Sequence, residues 1–117
     1  MPRAVAYTGT HDNDTTVGWY AGLRDSERAE VQRALHLPAP PRVPEFLIDA
    51  VYDCAAQLAI VPMQYLLGLG TDSRMNMPGT VKGNWSWRFK WDQVDPHLVA
   101  LSRARAERSG RLVATSR

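Results

Sequence analysis

Tyr7-Thr8-Gly9-Thr10-His11-Asp12-Asn13-Asp14-Thr15-Thr16 follows directly on the apolar triplet Ala4-Val5-Ala6. A short apolar run that breaks into glycine, histidine and carboxylates reads as a strand ending in a polar loop. Residues Arg3 to Thr8 show little alternation, which predicts a strand buried on both faces, as in a parallel sheet. In parallel α/β folds reacting groups gather where strands end, because the strand is rigid and the loops after neighbouring strands converge. The fold class predicted is therefore α/β, with His11 to Thr16 at the functional end of a strand.

The chain beyond this run agrees. After a polar loop from His11 to Gly22, turning helical near Val17, Trp19 and Tyr20, Asp25 or Ser26 is placed to cap a helix running to about Leu37. Its wet face carries Glu27, Arg28, Glu30 and Arg33; Ala29, Val31 and Leu35 supply its apolar contacts. Pro38, Pro40 and Pro41 make a stiff linker, and Pro44 is acceptable in the first turn of a new helix reaching Gln57. There Leu47, Val51, Cys54 and Leu58 form an apolar stripe at helical spacing, widened by Phe46 and Ala50. Leu58 to Met63 is short, apolar and β-branched and reads as a second buried strand. Leu66 to Gly70 reads as one helical turn, and Asp95-Pro96 opens a last helix with cap and first-turn proline in place. Two parallel strands joined by helices make a βαβ unit, yet two strands are too few for a complete parallel sheet.

The totals bound what this can be. A chain of 117 residues has the length of one small domain, and 44% apolar with 22% charged residues is ordinary for a globular protein. The formal net charge of +2 is too slight for a nucleic-acid partner to be expected. Arg103, Arg105, Arg108, Arg111 and Arg117 cluster at the end and read as a solvated helix face. A single cysteine, Cys54, excludes an internal disulfide, reads as core filler, and fits a reducing, cytoplasmic setting. No stretch approaches the ~20 apolar residues of a membrane span, so no membrane partner is expected.

Three readings compete for the opening loop. A carboxylate beside an imidazole, Asp12 next to His11, can stabilise developing positive charge and grip a polar substrate. His11, Asp12 and Asp14 can instead ligate a divalent metal, as in a small hydrolase, although His36 and His97 look peripheral and no further cluster completes such a site. Or Asp12, Asn13 and Asp14 simply cap backbone amides. A second polar segment, Arg74-Met75-Asn76-Met77-Pro78-Gly79-Thr80 and Gly83-Asn84-Trp85-Ser86-Trp87-Arg88, lies about sixty residues on. Its tryptophans, with Trp91 and the cations Lys82, Arg88 and Lys90, suit stacked bases, stacked sugar faces or plain loop packing. Asn76 and Asn84 each offer a donor and an acceptor for vicinal hydroxyls, and Gly79 and Gly83 allow sharp turns around them.

The two segments together, with Gly18-Trp19-Tyr20, Pro62, Gln64 and Leu66 to Gly70, resemble the amylomaltase, or 4-α-glucanotransferase, family of the α-amylase clan in order and spacing. The resemblance covers nearly the whole chain. It implies the C-terminal portion of a (β/α)₈ TIM barrel, with its last two strands and flanking helices, incomplete alone, across residues 1–117. It implies retaining transfer of α-1,4-glucan segments between malto-oligosaccharides through a covalent intermediate, with no metal and no cofactor. Asp12 matches the family's third carboxylate, a transition-state stabiliser. His11, Asn76 and, on its motif, Asn84 match sugar-binding positions, while Asn13 and Asp14 support the loop. The nucleophile and acid/base lie upstream in the family, so Met1 stands where interior sequence is expected. The isolated chain is accordingly expected to be inactive and to need the N-terminal part of the barrel. Tyr65 replaces an expected aspartate, and Thr71-Asp72-Ser73 replaces Ser-Glu-Ala. The alternative is a non-catalytic glucan-binding or complementing module that docks on a separate N-terminal half.

Overall fold

The computed structural model describes residues 3–37 and 42–112. Its element order is β1 (Val5–Tyr7), α1 (Thr16–Ala21), α2 (Asp25–Ala34), α3 (Val43–Asp53), β2 (Leu58–Ile60), α4 (Met63–Leu66) and α5 (Pro96–Arg108), with 3₁₀ turns at Thr71–Ser73 and Trp91–Gln93. β1 and β2 are parallel neighbours, with Val5 opposite Leu58, Ala6 opposite Ala59 and Tyr7 opposite Ile60. A parallel pair cannot be closed by a hairpin, and here the crossover carries three helices.

Both strands are shorter than the sequence suggests, and they are not buried on both faces. Ala6 and Ala59 are half-covered, whereas Val5, Tyr7, Leu58 and Ile60 keep 48 to 56% of their surface exposed. Large apolar side chains thus line one open face of a two-stranded sheet, with nothing among the described residues to cover them.

α3 is the hub, packing on α1, α4, α5 and β2. Pro44 sits in its first turn, where no amide donor is needed; Pro38, Pro40 and Pro41 lie outside the described residues. The stripe differs from expectation. Val43 and Ile48 are the buried positions, while Leu47, Val51 and Cys54 are half-buried and Phe46 and Ala50 point outward. Helices reach α3 from several directions, and Ile48 shares a crevice with Val17, Leu66 and Leu98, which a single-face pattern does not capture. The helix ends at Asp53, and the extended Cys54 leads toward β2.

The cap of α2 lies one residue before the expected Asp25: Arg24 takes that place, and the Glu27 carboxylate accepts from the Arg24 N–H at 2.9 Å. That bond and the Arg24 side chain hold Glu27 below the usual carboxylate range. The helical turn expected at Leu66 to Gly70 lies earlier, in α4. Asp95 caps α5 as expected, accepting from the His97 and Leu98 amides.

The basic end is only in part a solvated face. Arg105 is 3% exposed, and its Nε donates to Asp49 Oδ1 at 2.7 Å. Arg108 bridges Asp49 and Asp53 at 3.4 and 3.5 Å. Arg111 donates to the carbonyls of Tyr52 (2.8 Å), Cys54 (3.0 Å), Ala56 (3.0 Å) and Gln57 (3.4 Å). Arg103, paired with Glu107, and Arg108, about half exposed, keep to the expected wet face; Arg117 lies outside the described residues. The sequence shows charge but not that α3 ends beside these side chains.

Removing Asp49 strands a buried guanidinium. Asp49→Ala should lower stability by about 1–3 kcal/mol, less than for a wholly buried pair because Asp49 itself is partly wetted. Urea titration checks it; an unchanged midpoint would show that Arg105 finds another partner.

Candidate functional site

The opening loop divides its polar residues between two tasks. Thr10 to Asn13 form a tight turn, in which Asn13 Oδ1 accepts from the Thr10 amide (2.8 Å) and hydroxyl (3.0 Å). Asp14 faces the other way, accepting from the Thr15 amide at 2.8 Å and from the Thr71 hydroxyl at 2.9 Å. Thr15 then caps α1. The capping reading therefore holds for Asn13 and Asp14. It leaves His11 and Asp12 at the apex, each with about half of its side chain exposed and 3.3 Å between His11 Nε2 and Asp12 Oδ2. In the turn the two side chains come together rather than splitting to opposite sides as in extended chain.

The second segment meets them there. Asn76 Nδ2 donates to Asp12 Oδ1 at 2.7 Å. Arg74 ties the backbones of both loops, donating to the Asp12 carbonyl (3.1 Å) and the Asn76 carbonyl (3.3 Å). Each Asp12 oxygen has one neighbour and a carboxylate accepts more, so it can still bind hydroxyls. An exposed pair of this kind contributes little to stability.

Asn84 does not join this group. Its Oδ1 accepts from the Met77 amide and its Nδ2 donates to both the Thr80 carbonyl and hydroxyl. With the positive φ of Gly79 and Gly83, it folds the loop. Its neighbour Trp85 is the residue delivered to the site. Trp85 has a φ of 59°, costly for a bulky side chain by roughly 1–2 kcal/mol. Its amide is tied to the Met75 carbonyl at 2.6 Å, and its ring lies 4.9 Å from that of His11 at a 40° tilt. Trp87, Phe89 and Trp91 contact one another separately. His36 and His97 are exposed and remote from these contacts. Among the described residues no three His, Cys, Asp or Glu side chains converge as a metal site would need, and Asp14 is turned from Asp12.

Tyr65 is buried at 6% exposure and hydrogen-bonds the Asp14 carbonyl at 2.8 Å. It passes so close to Gly9 that a β-carbon there would lie 2.8 Å from its ring. A β-carbon on Gly18 would lie 2.7 Å from the Asp14 carboxylate. Both glycines are set by close approach. Neither the Tyr65 bond nor the Arg74 bridge was foreseen. Arg74 could have been suspected from standing two residues before Asn76, but nothing in the sequence marks Tyr65 as the partner of Gly9. Burial, and then the Asp14 charge, raise the Tyr65 phenol above its ordinary 10.0. Beside these residues lies a hollow of about 340 Å³ whose walls include Thr10, His11, Gln64, Tyr65, Arg74 and Trp85. Another, of about 310 Å³, lies beyond Tyr65 between Thr8, Trp19 and Leu47.

A carboxylate, an imidazole and an amide grouped at the ends of two parallel strands suit binding of a polyhydroxylated substrate. The family model described as 4-alpha-glucanotransferase matches residues 1–94, and the chain belongs to that family. It is 42% identical to the 4-alpha-glucanotransferase of Thermus thermophilus over 115 residues, covering 94% of this chain and 23% of the relative. The Synechocystis 4-alpha-glucanotransferase is 46% identical over 96 residues, covering 82% of this chain and 19% of the relative. The solved structure titled amylomaltase from Streptococcus agalactiae in complex with acarbose superposes with a TM-score of 0.82 at 33% identity, over 92% of this chain and 22% of that one. The chain therefore spans about a fifth of the length of the relatives it matches and has the fold of part of an amylomaltase.

Gly9→Ala should destabilise by about 1–3 kcal/mol by pushing Tyr65 aside. In a Tyr65→Phe background the cost should shrink in part, because the hydroxyl is gone while the ring remains; additive effects in the double-mutant cycle would refute the coupling. The Tyr65 phenol is raised, so its neutral form favours folding. That contribution is complete below about pH 10 and is lost as pH rises through the higher folded value. Melting temperatures measured upward from pH 8 should fall at the alkaline end less steeply in Tyr65→Phe than in the parent; equal slopes would count against it.

Proposed function

We propose that this chain supplies the last two strands of a (β/α)₈ barrel in a 4-α-glucanotransferase that disproportionates malto-oligosaccharides. The observation that carries the reading is the 2.7 Å bond from Asn76 to Asp12, made between loops that follow adjacent parallel strands. The open apolar face of Val5, Tyr7, Leu58 and Ile60 supports it, since side chains from the strands across a barrel interior would cover that face. The half-buried lone Cys54 supports a reducing compartment.

In this reading Asp12 acts as the third carboxylate. Its charge stabilises the oxocarbenium-like state at the reacting sugar, and its free lone pairs accept from the flanking hydroxyls. His11 and Asn76 bond hydroxyls of the same sugar while holding the carboxylate, and Asn84 serves by shaping the loop. The nucleophile and the acid/base that the family resemblance implies come from the remainder of the barrel, which is the partner proposed. No observation favours a purely glucan-binding module.

Residues 3–112 transplanted into the matching segment of the Thermus thermophilus relative should convert maltotriose to glucose and longer maltodextrins. Asp12→Asn in that chimera keeps the shape and removes the charge, so turnover should fall by about a hundredfold or more with substrate binding changed less. Near-parental turnover would overturn the role of Asp12. The chain alone should give no products, and disproportionation by it would overturn the reading as part of a larger barrel.

A further inference from the structure

The bond from Asn76 to Asp12 is made at the surface, between side chains that each give up rotamer freedom to make it. One exposed hydrogen bond contributes too little to hold itself in a single geometry. What holds this one lies beneath it, in the main chain. Arg74 is half-buried, and its two hydrogen bonds among the described residues go to the carbonyls of the two bonded residues. Nη2 donates to Asp12 at 3.1 Å and Nε to Asn76 at 3.3 Å. Both nitrogens belong to one rigid plane, so the guanidinium sets the spacing between the backbones of acceptor and donor. Bonds from a cation are also stronger than neutral ones.

The grip falls on the Asp12 carbonyl and not on its carboxylate. Arg24, Arg28, Arg103, Arg105 and Arg108 each pair with a carboxylate, whereas Arg74 forms no ion pair among the described residues. A guanidinium on the Asp12 carboxylate would hold it as firmly, but would offset the negative charge that a developing oxocarbenium needs. We infer that Arg74 is a positioning residue for glucan transfer. By gripping the carbonyls of Asp12 and Asn76 it fixes the carboxylate relative to the reacting sugar while leaving the charge to act. Its action on the sugar runs wholly through Asp12. A misplacement of about 1 Å at a reacting centre costs on the order of a hundredfold in rate. The inference rests on the glucan reading above and on the role of Asp12 within it.

The chimera with the Thermus thermophilus relative tests this, with maltotriose as substrate. Arg74→Ala should lower kcat by about a hundredfold and change KM by less than about threefold, because the loss falls on the transition state. Arg74→Lys should recover less than about a tenth of the parental rate, since a point charge does not span two carbonyls. The decisive variant is the double one. In an Asp12→Asn background the charge to be placed is gone, so Arg74→Ala should cost less than about threefold more. A merely structural role would repeat the full loss there, and that additive result overturns the inference. Near-parental turnover in Arg74→Ala, or full recovery in Arg74→Lys, overturns it as well. Thermal melts report folding; where Arg74→Ala does not fold, Arg74→Lys with and without Asp12→Asn carries the same comparison. An inactive parental chimera overturns the glucan reading and this inference with it, whereas an active parent with additive losses strikes only the role of Arg74.

Discussion

The contact on which the arrangement depends is the fit of Tyr65 against Gly9 and the Asp14 carbonyl. It closes a loop of more than fifty residues, an entropic cost that grows slowly with length but has to be met by specific contacts. The hydroxyl of a buried ring finds the carbonyl of Asp14, whose carboxylate in turn holds the amide of Thr15, the cap of α1, so strand end, helix start and second loop are fixed together. With that junction in place Arg74 can reach the Asp12 carbonyl, and Asn76 can reach the carboxylate. The pair at the apex is exposed and contributes little stability of its own. Its geometry is held from beneath.

This separation of support from site explains how the polar residues are used. Asn13, Asp14, Thr15 and Asn84 turn inward to backbone groups, leaving His11, Asp12 and one edge of the Asn76 amide outward. Two residues of like chemistry, Asp12 and Asp14, thus do opposite things two positions apart. The open strand face fits the same logic. A two-stranded parallel sheet is not self-sufficient, and here Val5, Tyr7, Leu58 and Ile60 stay exposed on one face of it.

Much of this was legible beforehand. Period and punctuation located both strands, the helix opened by Asp95-Pro96, and the two loops. What was missed shares one physical cause: partners distant in sequence. Strand burial was overestimated because a run such as Ala4-Val5-Ala6 carries no record of whether neighbours are present. Ile48 was passed over because three helices approach α3 from different sides. Arg105 and Arg111 looked like part of a wet face, yet their partners, Asp49 and the carbonyls after α3, lie more than fifty residues away.

The Arg111 clasp places an asymmetry on evolutionary change. Apart from a long 3.9 Å contact to Cys54 Sγ, its acceptors are the main-chain carbonyls of Tyr52, Cys54, Ala56 and Gln57, which every amino acid carries. The side chains of that stretch are therefore free to drift without loosening it. Length is not free, since an inserted or deleted residue would shift every carbonyl out of the fork. Nor is Arg111, because lysine is a compact point charge without the planar fan of donors that spans four groups. Related sequences should therefore vary in letters between α3 and β2 while keeping their spacing.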